Sequence, residues 1–367
     1  MCSWCKAGEN YMRKLQFGSR LVGPGEPALV VAEVSANHNQ SLDRAVEIIK
    51  AAGQSGADAI KIQTYTADTL TIDSNEKWFR ITGDSPWAGK TLYQLYGEAY
   101  TPWEWHQTLK ETAESLGLGF FSTPFDPTAV DFLEKLGVPA FKVASFELVD
   151  IPLLQRIGRA GKPVFASTGM ATLNEIDEAV TTLRGTGCKD VVLLKCTSAY
   201  PAAPEEMNLK VIPDLAARFD IPTGLSDHTL GSAAAVAAVA LGAVVVEKHF
   251  TLRRIDGGPD SGFSMEPAEF KLMVQDIRMV ERALGSVSYG PSPHERSSLE
   301  FRRSLFVVAD VKKGEAFTPS NVRAIRPSHG LHTRHLKDVI GRKAARNIKR
   351  GTPLSWDLVA SPERAAE

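Results

Sequence analysis

Histidine, lysine and glutamate residues recur at the ends of short apolar runs along this 367-residue chain. His228 follows one such run, His249 ends another, and Glu33, Lys61 and Lys142 lie within three more. Two neutral imidazoles suit a divalent metal ion that keeps open coordination positions. Lysines can neutralise a carboxylate or a phosphate, and a glutamate can act as a general base. These residue types predict metal-assisted chemistry on a small anion.

Hydroxyl side chains follow the same runs and supply further hydrogen-bond donors. The candidates are Thr123, Ser145, Ser167 and Ser226. Combined with Lys61 and Lys142, they form a set suited to a dianionic phosphate ester. Asp260, in the glycine-rich segment GGPDSGF, can bind sugar hydroxyls, although an Asp in such a segment often serves only the turn itself.

Eight apolar, β-branched runs are predicted to be the strands that position these residues. They cover 29–34, 58–63, 118–122, 139–144, 163–167, 190–196, 222–226 and 243–249. Amphipathic patterns predict helices over 41–54, 103–116, 128–136, 150–160, 172–184, 207–219 and 230–241. Strands that alternate with helices and are apolar on both faces predict a parallel sheet covered by helices. Eight such units over about 250 residues have the size of a (β/α)₈ barrel, whose active sites lie where the carboxyl ends of the strands converge.

An open, doubly wound sheet is the main alternative fold. It usually carries a glycine-rich loop after its first strand, where this chain has AEVSANHNQ. A single lysine or histidine at a strand end is more often a salt-bridge or hydrogen-bonded residue than a ligand. Eight successive polar strand ends favour a ligand site, because burying unpaired charges there costs several kcal/mol each.

The remaining segments predict the organisation of the chain around this barrel, which is assigned to residues 1–285. Residues 1–18 are predicted to be a flexible leader, in which Cys2 and Cys5 are free thiols rather than a zinc site. The long connection 65–101 contains Trp78, Trp87, Tyr93 and Tyr96, and predicts a lid or wall over the barrel mouth, with ordinary packing as the alternative. Residues 286–300 are predicted to be a linker, and 301–367 a second, small domain.

Charge and hydropathy exclude several classes of partner. Lys and Arg total 42 against 43 Asp and Glu, so the net charge is −1 and no global basic field exists for nucleic acid or an anionic membrane. No apolar run approaches the ~18 residues of a membrane span. Residues 1–15 lack the apolar core of a signal peptide, and we expect a cytoplasmic protein.

Eight ordered segments together resemble the sialic acid synthase family. They are AEVSANHN, DAIKIQTY, FFSTPFD, FKVASFE, FASTGMA, KCTSAYP, GLSDHT and EKHFT, and they cover nearly the whole predicted barrel. The segments RRSLFVVADVKKGE and AIRPSHG are similar to the antifreeze-like (SAF) domain of that family. The resemblance implies a (β/α)₈ barrel followed by a small C-terminal SAF domain. It also implies a transferase that joins phosphoenolpyruvate to an amino-sugar aldehyde.

The resemblance assigns roles to individual residues. It implies a manganese-type ion, with Mg²⁺ or Co²⁺ as alternatives, on His228 and His249. It implies that phosphoenolpyruvate is held by Lys61, Thr123, Lys142, Ser145, Ser167 and Ser226, and that the sugar contacts Glu33, Gln63, Tyr200 and Asp260. It further implies that Arg326 of the tail reaches the active site of a partner subunit, which makes the protein a homodimer with exchanged tails.

Within the family, four stretches are most similar to the pseudaminic acid synthases: LYQLYGEAYTPWEW, FDPTAVDFLE, VASFELVD and PDSGFSMEPAEF. This similarity implies 2,4-diacetamido-2,4,6-trideoxy-altrose as the acceptor. The reaction predicted for it is aldol-like, with C–O cleavage of phosphoenolpyruvate. N-acetylneuraminate and legionaminic acid synthases remain alternatives. The chain departs from the family at Gln40, where Gly is usual, and at Ser198, where N-acetylneuraminate synthases carry Asn.

Two readings from different functional classes stay open. A Schiff-base aldolase would use Lys61, Lys142 or Lys195 as its nucleophile, but it would not need the two histidines. The tail could instead be an ice-binding or docking module, although its charged residues, including Lys312 and Lys313, do not suit a flat uncharged ice face.

Overall fold

The computed structural model describes residues 13–361 except Asp84 and Pro86. The chain divides into two compact units, residues 1–285 and residues 286–367. Cys2 and Cys5 lie outside the described residues, as does most of the predicted leader. Among the described residues, no helix is long and apolar enough to cross a membrane.

The first unit contains a closed barrel of eight parallel strands, which confirms the predicted (β/α)₈ architecture. The strands are β3 (Leu29–Glu33), β4 (Ala59–Thr64), β5 (Gly119–Pro124), β6 (Phe141–Val143), β7 (Val164–Ser167), β8 (Val191–Cys196), β9 (Thr223–Asp227) and β10 (Val245–His249). They are hydrogen-bonded in sequence order, and β10 pairs with β3 to close the ring. All eight carboxyl ends therefore meet at one mouth.

Helices follow the strands and cover the outside of the barrel. They are α1 (Leu42–Gln54), α4 (His106–Ser115), α5 (Pro127–Leu136), α6 (Ile151–Arg159), α7 (Leu173–Thr186), α8 (Val211–Phe219), α9 (Ala233–Ala240) and α10 (Pro267–Leu284). Their starts carry the expected capping residues. The Ser41 side chain accepts from the Arg44 amide, Asp126 caps α5 ahead of Pro127 at its first turn, and Thr172 forms a capping box with Glu175.

A short hairpin precedes the barrel and packs into the interior of the ring. It consists of β1 (Leu15–Phe17) and β2 (Arg20–Val22). The Phe17 ring lies edge-on to Phe121 and Phe165, with centroids 5.3 and 5.6 Å away. A Cβ at Gly119 would lie 2.3 Å from the Phe17 ring, so only glycine fits there. The flexible leader predicted over residues 1–18 is therefore wrong for residues 15–17, which form β1 with Leu15 and Phe17 buried.

The connection between β4 and α4 is structured, and part of it contacts the barrel mouth. It contains α2 (Ala67–Leu70) and α3 (Leu92–Ala99). Trp87 packs against Tyr200, with ring centroids 5.6 Å apart. Trp78 is 76% exposed. The predicted aromatic wall therefore includes Trp87, whereas Trp78 lies in solvent.

The second unit has its own small core. The antiparallel pair β11 (Ser304–Val307) and β12 (Val322–Ile325) packs with the short helix α11 (Leu336–Val339). Buried side chains such as Phe317 and Leu354 fill the space between them. Residues 286–298 are exposed and include the short 3₁₀ turn Pro293–Glu295 and the start of a second one, Ser297–Phe301.

Candidate active site

Two lysines and two glutamates alternate in space inside the mouth of the barrel. The Lys61 Nζ lies 2.7 Å from Glu33 Oε2 and 3.5 Å from Glu247 Oε1. The Lys142 Nζ lies 3.9 Å from the same Glu247 oxygen. All four residues are less than 5% exposed. Glu247 therefore lies between the two lysines, a contact that appears only when β10 joins the ring.

Burial and charge have opposite effects on these four groups. Burial raises the pKa of Glu33 to about 7, and Lys61 only partly offsets this. Burial also favours the neutral form of Glu247, but Lys142 and Lys61 hold its pKa below the usual value. Burial lowers the pKa of Lys142. Glu247 is thus the ionised partner of the lysines, and Glu33 is the carboxyl that can exchange a proton near neutral pH.

The predicted hydroxyl residues lie around this cluster. The Lys61 Nζ donates to Thr123 Oγ1 at 3.2 Å, and the Lys142 Nζ donates to Ser167 Oγ at 2.7 Å. The Ser226 hydroxyl donates to Glu247 at 3.2 Å. These contacts bring side chains from separate strands into a single polar cluster.

Ser145 lies two residues after β6 and is approached closely by the turn after β7. A Cβ at Gly169 would lie 2.4 Å from the Ser145 Cβ and 2.8 Å from the Ser198 Oγ. Gly169 also has a positive φ of 27°. Only glycine therefore lets this turn approach Ser145 so closely.

His228 and His249 face each other across the ends of β9 and β10, with ring centroids 5.3 Å apart. The His228 Nδ1 lies 2.9 Å from the Thr197 carbonyl oxygen. Because a carbonyl only accepts, Nδ1 carries a proton, and in the neutral form of the ring the Nε2 lone pair is left for a ligand. The His249 Nδ1 is buried and has no hydrogen-bond partner. Burial also holds the pKa of His249 well below its usual value, which keeps the ring neutral.

These two imidazoles fit a divalent ion with an open coordination shell. A buried, unpartnered ring nitrogen is costly unless something binds it. No group of three or more His, Cys, Asp or Glu side chains suited to a metal occurs among the described residues. The barrel would therefore supply two ligands and leave the other positions to substrate and water.

The side chains predicted to contact the sugar form a second network beside the lysines. The Gln63 amide donates to Glu33 Oε1 at 3.2 Å and to Ser35 Oγ at 3.0 Å. The Ser35 hydroxyl in turn donates to Asp260, which also accepts from the Ala36 amide. Gln63 and Asp260 are thus held at the mouth in fixed orientations.

A cleft of about 640 Å³ opens beside the histidines. The ring centroids of Tyr200 and His228 are 4.4 Å apart, and those of Phe263 and His249 are 5.0 Å apart. Both aromatic rings line the cleft together with Trp87. The cleft therefore adjoins the histidine pair through Tyr200 and Phe263, which contact the histidines and line the cleft.

Two predicted residues lie elsewhere. Lys195 donates its ammonium protons to the Cys196 carbonyl and to Thr197 Oγ1, with no carboxylate partner among the described residues. Arg326 belongs to the second unit, where it is exposed directly after β12.

Three functional candidates had no role assigned from the sequence. In the sequence, Glu247 is recognisable only as a residue on the same strand face as His249. Ser35 lies in the loop that follows β3. Glu147 follows β6 in a 3₁₀ turn, one of its carboxyl oxygens is buried without a partner, and burial raises its pKa to about 7. The signal for Glu147 was its place four residues after the end of a barrel strand.

Comparisons with known proteins show the family and the domain organisation of the chain. The NeuB family description matches residues 48–289, and the SAF domain description matches residues 302–360. The pseudaminic acid synthase of Helicobacter pylori is 44% identical over 333 residues, which are 90% of this chain and 98% of that protein. The N,N′-diacetyllegionaminic acid synthase of Legionella pneumophila is 38% identical, covering 92% of this chain and 96% of that protein.

A solved structure gives the same result for the fold. The N-acetylneuraminic acid synthetase of Leptospira borgpetersenii, crystallised with citrate, superposes with a TM-score of 0.70 at 30% identity. The match covers 79% of this chain and 96% of that one. The sequence and structural similarities therefore extend over most of the chain.

Proposed function

This chain belongs to the NeuB family of synthases, and we propose that it condenses phosphoenolpyruvate with 2,4-diacetamido-2,4,6-trideoxy-altrose to form pseudaminic acid and phosphate. The observation that carries this proposal is the buried cluster of Lys61, Lys142 and Glu247 directly beside the histidine pair. The sugar assignment draws on the 44% identity with pseudaminic acid synthases, against 38% with a legionaminic acid synthase.

Phosphoenolpyruvate would bind across the two lysines. Lys61 and Lys142 are buried and hydrogen-bonded to hydroxyls, so they can exchange these contacts for the carboxylate and phosphate oxygens. Glu33 can lower the local negative charge by taking a proton, since its pKa is about 7. An incoming anion is then met by net positive charge.

The histidine pair would hold a divalent ion, for which Mn²⁺ is our choice. Such an ion supplies Lewis-acid polarisation of an aldehyde oxygen. The Thr197 carbonyl fixes the His228 ring so that Nε2 faces the ligand. Asp260 and Gln63, already held by Ser35, can accept from and donate to the sugar hydroxyls.

The reaction is an aldol-like addition followed by loss of phosphate. The C3 atom of phosphoenolpyruvate attacks the aldehyde carbon, the aldehyde oxygen takes the proton from the neutral Glu33 carboxyl, and positive charge develops at C2. Water adds to C2, and the Glu33 carboxylate accepts the proton that this water loses. The C2–O bond then breaks, phosphate leaves with the bridging oxygen and the proton of the C2 hydroxyl, and a keto group remains at C2. The lysines stabilise the charge on the phosphate throughout.

The tail completes the site in our proposal. We propose a cytoplasmic homodimer in which Arg326 of one chain reaches the barrel of the other. Residues 301–367 contain 14 Lys and Arg but only six Asp and Glu, although the whole chain has a net charge of −1. Opposite net charges favour association of this tail with the barrel of a partner chain.

Product analysis tests the proposal. Purified protein with Mn²⁺ is mixed with phosphoenolpyruvate labelled with ¹⁸O at the bridging oxygen and, in turn, with the altrose derivative, its legionaminic counterpart and N-acetylmannosamine. Mass spectrometry should find a nonulosonic acid most rapidly from the altrose derivative, with the label in phosphate. Label retained in the sugar acid contradicts C–O cleavage, and faster turnover of another acceptor overturns the sugar assignment.

The Schiff-base aldolase hypothesis predicts a different outcome for the same mixture. Its substrate adduct would be trapped on a lysine by borohydride. We expect no such adduct, because Lys61 and Lys142 are ion-paired with glutamates rather than free as neutral amines.

A further inference from the structure

Trp87 lies in the wall of the cleft beside the histidines, although it belongs to the β4–α4 connection rather than to a barrel strand. Its indole nitrogen donates to the Pro259 carbonyl at 2.9 Å. Its ring centroid is 5.6 Å from that of Tyr200, which itself contacts His228. Hydrogen bonding at one edge and ring contact on one face fix the plane of the indole.

Aromatic and proline side chains form nearly half of the cleft lining: Trp87, Tyr200, Pro201, Pro259 and Phe263. The rest of the lining consists of small and polar residues: Ala88, Lys90, Glu98, Gly258, Ser261 and Gly262. The charged residues at this cleft, Lys90 and Glu98, are paired with each other and largely exposed. The aromatic and proline side chains therefore form an apolar patch within a cleft that also exposes polar groups.

The reaction fixes the direction in which an acceptor must lie. Its aldehyde carbon has to meet phosphoenolpyruvate near the lysines and histidines, so the other end of the sugar extends into the cleft. In a 2,4-diacetamido-2,4,6-trideoxy sugar that end carries a methyl group and an acetamido methyl. In N-acetylmannosamine it carries hydroxyl groups instead.

Resting on the function proposed above, we propose that Trp87 is a specificity-determining residue that binds the apolar far end of the acceptor sugar. The indole face covers the 6-methyl and the acetamido methyl and removes them from water. A hydroxyl in the same place would lose its water without gaining a partner from the indole. Trp87 therefore favours deoxygenated diacetamido sugars over polyhydroxylated ones.

Kinetics with two acceptors test this assignment. The variants are Trp87→Ala and Trp87→Phe, and the control is Trp78→Ala, a tryptophan of the same connection that is 76% exposed. The measured quantity is kcat/KM for the trideoxy acceptor divided by kcat/KM for N-acetylmannosamine. KM for phosphoenolpyruvate is recorded in parallel, and circular dichroism with the melting temperature reports folding.

We expect Trp87→Ala to lower this ratio about 10- to 200-fold, the range for losing apolar contact in a specificity pocket. Trp87→Phe should lower the ratio less than Trp87→Ala does, and Trp78→Ala should leave the ratio unchanged. KM for phosphoenolpyruvate should stay the same in all three variants. If Trp87→Ala does not fold, a ratio in Trp87→Phe equal to that of the wild type overturns the proposal.

The outcomes separate the two proposals. Wild-type protein that is active on the trideoxy sugar, with a folded Trp87→Ala variant of unchanged ratio, overturns the role of Trp87 alone. Wild-type protein that forms no product from phosphoenolpyruvate and any of these sugars overturns the proposed function, and the role of Trp87 with it.

Discussion

Asp227 and Lys248 form an ion pair of 2.7 Å whose side chains are completely buried. They are direct partners across β9 and β10. Asp227 immediately precedes His228, and Lys248 immediately precedes His249. Because side chains alternate along a strand, this pair lies on the outer face of the barrel wall while the histidines face its mouth. The ion pair thus fixes the register that brings the two imidazoles together.

Breaking this pair should destabilise the protein strongly. Lys248→Met leaves the Asp227 carboxylate buried without its cation, which costs about 3–5 kcal/mol of unfolding free energy. The double variant Asp227→Asn with Lys248→Met should recover part of that loss. Urea unfolding measures both changes. The matched control is Lys349→Met, which breaks an exposed pair with Asp310 and should leave the unfolding midpoint nearly unchanged.

The outcome also bears on the metal site. Where Lys248→Met still folds, we expect weaker Mn²⁺ binding by calorimetry, because the distance between the two imidazoles is no longer fixed. A Lys248→Met protein as stable as the wild type would contradict the importance of the pair.

Metal removal should abolish activity through the two histidines. EDTA treatment removes turnover, and Mn²⁺ restores it, because the aldehyde oxygen needs polarisation. His228→Ala and His249→Ala should each lose turnover and Mn²⁺ binding while remaining folded. His294→Ala is the control, since His294 is exposed in the second unit. Full activity of metal-free protein would reject the metal site.

Phosphoenolpyruvate affinity should depend on Lys61 and Lys142. Substitution of either by Met removes a charge-assisted hydrogen bond worth ~1.5–3 kcal/mol, or roughly 10- to 150-fold in Kd. Lys195→Met is the matched control. Lys195 also lies near a strand end, but its ammonium group donates to the adjacent Cys196 carbonyl and to Thr197 Oγ1. Titration calorimetry measures the affinities. Equal affinity in wild type and both Lys→Met variants would remove these lysines from the site.

Glu147 should make stability fall as pH rises towards neutral. Its pKa is about 7 in the folded protein, against 4.5 as the ordinary value, because burial favours the neutral acid. The folded state therefore binds more protons than the unfolded state between these values, and stability present below pH 4.5 is lost as pH rises through 7. The difference is on the order of 3 kcal/mol.

The variant Glu147→Gln should flatten this dependence, as followed by urea unfolding between pH 4.5 and 7.5. Glu178→Gln, an exposed change on α7, should leave the slope of the wild type intact. A Glu147→Gln protein with the same pH slope as the wild type would mean that the carboxyl titrates normally.

Subunit mixing tests the shared active site. An Arg326→Ala chain and a His228→Ala chain, each nearly inactive alone, are mixed under conditions that exchange subunits. If Arg326 serves the partner's barrel, a mixed dimer contains one site with both defects and one with neither, so activity reappears. If Arg326 serves its own barrel, every site remains defective. Absence of rescue in verified heterodimers therefore counts against exchanged tails.

The sequence was sufficient for the barrel and for most of the residues at its mouth. Each predicted strand lies within about two residues of an observed one, because a strand buried on both faces must be apolar along its length. Lys61, Lys142, His228 and His249 were recognisable because polar residues at the ends of such strands are unusual. These signals are local and can be read one segment at a time.

Contacts between distant segments were decided only by the tertiary structure. Glu247 meets Lys61 because β10 closes the ring against β3 and β4, and no local pattern carries that contact. The first strand of the hairpin, which contains Phe17, was assigned to the leader because three residues are too few to show the alternating hydrophobic pattern of a strand. Trp87 resembled any aromatic of a long connection until Tyr200 and Pro259 placed it at the cleft. Local hydrophobic pattern therefore determined the elements, whereas the pKa values, the pairing of charges and the shape of the cleft arose from closing the chain around a buried, low-dielectric interior.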